Sequence, residues 1–152
     1  MKKSLLLTSI VCFVVVMALG GCAIFKKGPT PEELVMQRTQ AFADDFLAGN
    51  VDKILDYISE DFSDEHVQDK ATLAKHIQEG KDSGKTAEFT QRIKDHHGQI
   101  DLKNAKVTVK DDTATVYPIT ASADEGSVTI NLSFKKDRDK VWRVVGIKIE
   151  GI

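Results

Sequence analysis

The spacing of apolar residues changes near the middle of the chain, and this change constrains the fold more than any other feature. Up to residue 97, apolar side chains recur at the spacing of amphipathic helices. From Ala105 onward they alternate with polar residues, as in "KVTVK" and "SVTINLSFK", which is typical of strands with one buried face. Because the two kinds of segment are segregated, the sequence predicts an α+β domain with N-terminal helices packed on an antiparallel sheet.

Residues at the expected helix ends place the helices. Thr30 is expected to cap the first helix in a capping box, and Gly49 is expected to end it. Asn50 is expected to cap a short second helix, and Asp69 a third. The segment 85–97 fits either a helix or the start of a strand, and we predict the helix.

The alternating segment from Ala105 onward predicts successive β-hairpins. Three turns separate the alternating runs, at residues 111–112, 123–126 and 137–139. The apolar side chains of the last strand then change parity, from Trp142 and Val144 to Ile147 and Ile149. One extra residue would return all four side chains to one face, so the sequence predicts a β-bulge at Gly146.

The N-terminus has the features of a secretory signal. Lys2 and Lys3 precede an apolar run shorter than the about 20 residues that a membrane-spanning helix needs. The run ends in "LGGC" at Cys22, which resembles the lipobox of bacterial lipoproteins. The resemblance implies a signal peptide over residues 1–21, a lipidated Cys22 with a short tether over 22–29, and a domain over 30–152. The alternative is an uncleaved anchor with an incidental cysteine.

Lipidation of Cys22 would set the location of the protein. Two or three acyl chains hold a protein stably on a membrane, here a membrane of the bacterial cell envelope. In Gram-negative lipoproteins an Asp after the lipidated cysteine often signals retention in the inner membrane. Ala23 stands there in this chain, so the resemblance favours the outer membrane.

Removal of the signal peptide would also change the cysteine content and the net charge of the mature protein. Cys12 would leave with it, so the mature chain would have no free thiol for catalysis, disulfides or metal binding. The loss of Lys2 and Lys3 from the 21 basic residues would leave 19 against 23 acidic ones, a net charge of −4. Nucleic-acid binding needs a basic stripe, and none is present, so no nucleic-acid partner is predicted.

Three segments, in order, carry a resemblance to a known superfamily. "FLAGNVDKILDYISEDF" looks like its junction between a long first helix and a short second one, "AKVTVKDDTATV" like its first long hairpin, and "DKVWRVVGIKI" like its final strand. Together they resemble the nuclear transport factor 2-like (NTF2-like) superfamily, which includes polyketide-cyclase-like and ketosteroid-isomerase-like domains. The resemblance implies that the sheet is curved and wraps against the helices as a cone, a cystatin-like roll.

The cone of this superfamily is often a pocket, so the resemblance implies candidate lining residues. They are the aromatic side chains of Phe42, Phe46, Tyr57, Phe62, Phe134 and Trp142. The alternative is that these side chains form an ordinary core, because aromatic residues at helix or strand spacing usually pack inward. The enzymes of the superfamily place an Asp, His or Tyr inside the cone. No position in this chain matches one of their catalytic motifs, so no catalytic residue is carried over.

Few residues are candidates for chemistry. Asp45 shares a helix flank with Phe42 and is a weak candidate for a catalytic carboxylate with a raised pKa, the alternative being a solvated helix face. His66 follows the loop expected beside the mouth of the cone and is a weak candidate for acid–base work. His96 and His97 are adjacent, and adjacent side chains on a helix diverge, so no metal site is predicted. No cofactor is predicted.

Three functions remain open at this point. The first is a non-enzymatic module, anchored to a membrane through Cys22, that binds a small apolar ligand or an envelope protein. The second is a small enzyme that transfers protons on an apolar substrate, as an isomerase or dehydratase does, through Asp45 or His66. The third is a structural envelope subunit that forms a homodimer through its open sheet face. A deep, wholly apolar pocket would favour ligand binding, and an inward-facing Asp or His would favour the enzyme.

Overall fold

The structure, a computed structural model, describes residues 28–65 and 67–151. The predicted signal peptide, Cys22 and most of the tether lie outside the described residues, and so does His66. In the described part, four α-helices precede five strands, so the predicted order of an α+β domain is confirmed. None of these helices is both long and apolar enough to cross a membrane.

The helices begin and end largely where the sequence predicts. They are α1 (Pro31–Ala48), α2 (Val51–Ile54, followed by a 3₁₀ turn over Leu55–Tyr57), α3 (Lys70–Asp82) and α4 (Lys85–Asp95). The predicted capping box of α1 is present, because the backbone N–H of Glu33 donates to Thr30 Oγ1 at 3.2 Å and that of Thr30 donates to Glu33 Oε2 at 2.8 Å. The helix ends at Gly49, whose φ of 76° lies in the left-handed region that glycine adopts without strain.

One predicted cap is wrong and one is confirmed. Asp69 caps α3 by accepting a hydrogen bond from the backbone N–H of Thr72 at 2.7 Å. Asn50 precedes α2, but its side chain does not cap that helix. Its Nδ2 instead donates a charge-assisted hydrogen bond to Asp45 Oδ1 at 2.7 Å, and this bond orients the side chain toward α1. The ambiguous segment after residue 84 forms α4, so the helix is confirmed there.

The strands form a single antiparallel sheet in the described part of the chain. They are β1 (Gln99–Asp101), β2 (Lys106–Lys110), β3 (Thr113–Ala123), β4 (Gly126–Lys136) and β5 (Trp142–Glu150). On one side, β3 pairs with β2 through its first part and with β1 through its second part. On the other side it pairs with β4, and β5 lies beyond β4 at the edge. The sequence does not predict β1, because three residues are too few for an alternation to show.

The predicted β-bulge in β5 is confirmed, with its extra residue directly before the predicted Gly146. Ser133 pairs with Gly146, but the next residue of β4, Phe134, pairs with Val144, so Val145 is an extra residue in the ladder. The apolar side chains before and after the bulge therefore face the helices together. The sheet remains open, and no barrel forms from the described strands.

The carbonyl groups at the bulge also hold the segment that follows the 3₁₀ turn. The backbone N–H of Ser59 donates to the carbonyl of Val144 at 2.9 Å, and that of Ser63 donates to the carbonyl of Val145 at 3.0 Å. These two hydrogen bonds place the chain between α2 and α3 against the edge strand. Phe62 lies between them in sequence and is buried in the core.

The core lies between the first half of α1 and the sheet. Val35, Thr39 and Ala43 are buried, and their four-residue spacing puts them on one face of α1. The buried cluster that they meet consists mainly of Ile58, Phe62, Val116, Leu132, Phe134, Trp142 and Val144. Each large apolar side chain buried here stabilises the fold by about 1.5–3 kcal/mol. The second half of α1 continues beyond this cluster, over the far end of the sheet.

Candidate functional site

A cavity of about 190 Å³ lies between the second half of α1 and the inner face of the sheet. Four of its wall residues belong to α1: Thr39, Phe42, Ala43 and Phe46. The opposite walls come from the sheet and from the residue after β1: Ile100, Leu102, Ile119, Ile130, Leu132, Ile147 and Ile149. The alternation of β3, β4 and β5 turns these aliphatic side chains toward the helix.

The walls of this cavity are apolar in their chemistry. Thr39 is the single polar residue among the described wall residues, and its hydroxyl already donates to the carbonyl of Val35 at 2.9 Å. No described wall residue has an ionisable side chain. A cavity of about 150 Å³ with walls of this kind stays free of water and takes up benzene. The cavity is therefore large enough for an apolar group of roughly six to eight carbon atoms by the same comparison.

A larger open groove adjoins the cavity. Its volume is about 670 Å³, which lies within the usual range of about 300–1,000 Å³ for small-molecule sites. Phe46, Ile100 and Ile130 belong to the walls of both spaces, so the groove and the cavity lie side by side. The groove runs between α4 and the ends of β1, β3 and β4.

Two aromatic rings stand at the mouth of the groove. Phe46 and Phe89 meet edge to face, with ring centroids 5.8 Å apart. Although both are wall residues, they are 37% and 50% exposed. Because the two rings are in contact, they form a small contiguous apolar patch on the groove wall.

The groove also contains charged groups. Arg92, His96 and Glu125 line it, and His96 Nδ1 lies 2.5 Å from Glu125 Oε1. Beside this pair, His97 Nδ1 lies 3.1 Å from Asp124 Oδ2. The two pairs connect the end of α4 to the turn between β3 and β4.

Solved structures share this arrangement of helices and sheet. An NTF2-like protein with a cystatin-like fold from Novosphingobium aromaticivorans matches with a TM-score of 0.54 at 15% identity, over 77% of this chain and 79% of that one. The fold is cystatin-like and NTF2-like. A candidate ketosteroid isomerase from Parabacteroides distasonis matches at a TM-score of 0.58 and 10% identity, over 84% of this chain and 92% of that one.

Bd1075 of Bdellovibrio bacteriovorus contains the same arrangement in a longer chain. The match has a TM-score of 0.54 at 8% identity, covers 78% of this chain and spans 39% of that one. No protein-family model matches this chain, and no curated protein matches it in sequence. At identities this low the likeness shows the cystatin-like fold alone, because proteins with one fold host many functions.

Within the cystatin-like fold, the six aromatic residues predicted for the pocket divide into two groups. Phe42 and Phe46 are wall residues of the cavity. Tyr57, Phe62, Phe134 and Trp142 are at most 7% exposed, lie outside the described cavity walls and pack elsewhere in the interior. The remaining walls are aliphatic residues that the prediction did not include. The alternation of the strands could have identified four of them, because these side chains occupy inward positions: Ile130, Leu132, Ile147 and Ile149.

Asp45 does not face the cavity. Its Oδ2 accepts a hydrogen bond from the Tyr57 hydroxyl at 2.6 Å, and its Oδ1 accepts from Asn50 Nδ2 at 2.7 Å and from Lys53 Nζ at 3.1 Å. These donors, Tyr57 first, lower the pKa of Asp45 from 3.8 to about 2. The predicted raised pKa is therefore wrong, because the donors stabilise the ionised carboxylate more than partial burial destabilises it. Through these hydrogen bonds Asp45 connects α1 to α2 and to the 3₁₀ turn.

The histidines that the structure describes do not form a common metal-binding centre. His66 lies outside the described residues, so its role in acid–base work stays a prediction. His96 and His97 are each paired with an acidic side chain of the β3–β4 turn. Among the described residues, no group of three or more His, Cys, Asp or Glu side chains is arranged to hold a metal ion.

Proposed function

We propose that this protein is a lipid-anchored, non-enzymatic module of the bacterial cell envelope that binds a small apolar ligand. The observation that carries the ligand part is the cavity under α1, whose described walls are apolar and have no ionisable group. Such a cavity offers a ligand removal from water and close packing, but it offers no proton donor or acceptor for catalysis. The adjoining groove gives the ligand a way in from solvent.

The size of the cavity sets the expected affinity. Burial of each CH₂ group contributes about 0.8 kcal/mol, so a six-carbon group gains about 5 kcal/mol. Taken alone, that gain corresponds to a dissociation constant of roughly 0.2 mM. Contacts with Phe46 and Phe89 at the mouth would add to it.

The enzyme alternative receives no support from Asp45. Three donors hold that carboxylate in its ionised form, and it is not a wall residue of the cavity or of the groove. A general base for proton abstraction works best with a pKa near the operating pH, whereas the pKa of Asp45 is about 2. Ligand binding without chemistry is therefore the function that the described site supports best.

Ligand binding can be tested with a neutral amphiphile and the isoleucine methyl groups as reporters. Five isoleucines of the sheet line the cavity, whereas Ile58 is buried in the core and is not a wall residue. The intact protein, in phospholipid nanodiscs, is titrated with 1-octanol while ¹³C-methyl NMR spectra are recorded, with empty nanodiscs as the blank. We expect the wall methyl signals to shift and the Ile58 signal to remain.

A matched pair of variants distinguishes cavity binding from general hydrophobic contact. Ala43 is a buried wall residue, and Ala48 is an exposed residue of the same helix outside the walls. Ala43→Leu fills part of the cavity and should weaken octanol binding, so that the wall methyl signals shift less at each octanol concentration, whereas Ala48→Leu should leave the shifts unchanged. Equal shifts in both variants, or no shift in the natural protein, would contradict the proposed ligand site.

The membrane part of the proposal rests on the resemblance of the residues before Cys22 to a lipobox. The seven residues Ala23–Pro29 would extend over at most about 25 Å, so the domain would lie close to its membrane. Cys22→Ser removes the thiol that receives the lipid. The variant should lose the mass of the acyl groups and should not be retained on the membrane by lipid. An unchanged mass together with unchanged retention would refute the anchor.

A further inference from the structure

The geometry points to a specific class of ligand: we propose that the site binds an amphiphile with one anionic headgroup and an apolar part of about six to eight carbon atoms. The apolar part would occupy the cavity under α1, and the headgroup would bind Arg92 in the adjoining groove. This inference rests on the proposed ligand-binding function and adds the charge, orientation and size of the ligand.

The orientation follows from the chemistry of the two spaces. The cavity has no free hydrogen-bond donor among its described wall residues, because the hydroxyl of Thr39 donates to Val35. A charged headgroup buried there would lose its hydration without compensation, which is strongly unfavourable. The groove is open to solvent and contains the guanidinium of Arg92. The apolar part therefore enters the cavity, and the headgroup stays outside it.

The sign of the headgroup follows from the charges that line the groove. Glu125 is close to His96, at 2.5 Å. Arg92 is an exposed wall residue, and its guanidinium has no hydrogen-bond or ion-pair partner in the described part of the chain. Glu88 lies one turn earlier on α4 but forms no ion pair with it there. The cation left available in the groove is thus Arg92, and a planar guanidinium binds carboxylates and phosphates through paired hydrogen bonds.

A pair of probes of equal length tests the charge of the ligand. Octanoate and 1-octanol have the same number of carbon atoms and differ in charge. They are titrated into the intact protein in nanodiscs, with the isoleucine methyl shifts as the readout and free ligand corrected with empty nanodiscs. We expect octanoate to bind about two- to fivefold more tightly than 1-octanol, and we expect the difference to shrink at high salt, because salt screens an exposed pair.

Three variants assign the difference to one side chain. Arg92→Gln should remove the preference for octanoate and leave the affinity for 1-octanol unchanged. Arg92→Lys should keep only part of the preference, because an ammonium group retains the charge but not the paired donors. Lys94→Gln removes a cation from the same helix, outside the groove walls, and should leave both affinities unchanged. Thermal unfolding of each variant checks that the fold is retained.

The possible outcomes separate this inference from the function on which it rests. Binding of 1-octanol and octanoate with equal affinity, or a preference that persists in Arg92→Gln, would overturn the anionic headgroup and leave the apolar ligand site in place. A preference that Lys94→Gln removes as fully as Arg92→Gln would likewise overturn it, since general charge would then suffice. Failure of both probes to shift the wall methyl groups would overturn the ligand site itself.

Discussion

Replacement of Ala43 by leucine tests, through the sign of its effect on stability, whether the space under α1 is empty. Ala43 is 4% exposed and is a wall residue of the 190 Å³ cavity. Leucine adds three carbon atoms, fewer than the six to eight that the cavity accommodates, at almost no cost in helix propensity. Because each buried CH₂ contributes about 0.8 kcal/mol, the variant should gain about 2 kcal/mol in free energy of unfolding.

Urea denaturation followed by far-ultraviolet circular dichroism measures this difference. For a domain of this size, a gain of about 2 kcal/mol also raises Tm by roughly 6–10 °C. Ala48→Leu is the control, since Ala48 lies on the same helix but is exposed and outside the walls, and it should change stability little. If the side chains had no free space between them, extra carbon atoms would force strain and cost about 1–3 kcal/mol. A destabilised Ala43→Leu would therefore refute the cavity and the ligand site with it.

Two further predictions concern α1 and its end. Asp45→Asn should lower the free energy of unfolding at neutral pH. The difference in free energy of unfolding between the variant and the natural protein should narrow as the pH falls from about 4 to about 2. The reason is that a carboxyl whose pKa falls from 3.8 to about 2 on folding stabilises the fold above its unfolded pKa and loses that effect as the pH passes through the folded value. Urea denaturation across this pH range measures the difference, and an equal narrowing in the control Asp44→Asn would contradict it. Gly49→Ala and Gly84→Ala both place a side chain at a φ of 76°, which costs roughly 1–2 kcal/mol. Gly49→Ala should cost more, because its Cβ would lie 2.5 Å from Thr90 Cγ2 whereas Gly84 has open space, and equal losses in thermal denaturation would show that the Thr90 contact is harmless.

Features that depend on neighbouring residues could be predicted from the sequence. The capping box at Thr30 needs only Glu33, three residues away, and the helix end at Gly49 needs only the backbone freedom of glycine. The bulge near Gly146 could be predicted because a change of parity in one strand has a local solution, an extra residue. Each of these signals is contained within a few consecutive positions.

Features that depend on distant contacts could not be predicted in this way. Ile100 became a cavity wall through pairing of its three-residue strand with Ala121, far along the chain. The pKa of Asp45 depends on Tyr57, which lies beyond the next helix. Sequence spacing identified Phe134 and Phe42 as inward-facing, but it could not say that one fills the core while the other borders a gap. A cavity depends on how all the surrounding side chains pack, because it forms where no side chain fills the space between them.

The extra residue in β5 divides the edge strand into two parts, of which one packs in the core and the other lines the cavity. Trp142 and Val144, before the bulge, belong to the packed core, whereas Ile147 and Ile149, after it, border the cavity. Substitutions in the second part can therefore reshape the site at modest cost, since they alter a wall beside space that is already present, while the first part keeps its packing. The same strand can thus maintain the fold while the shape of the cavity varies, and Val145 marks the boundary between its two parts.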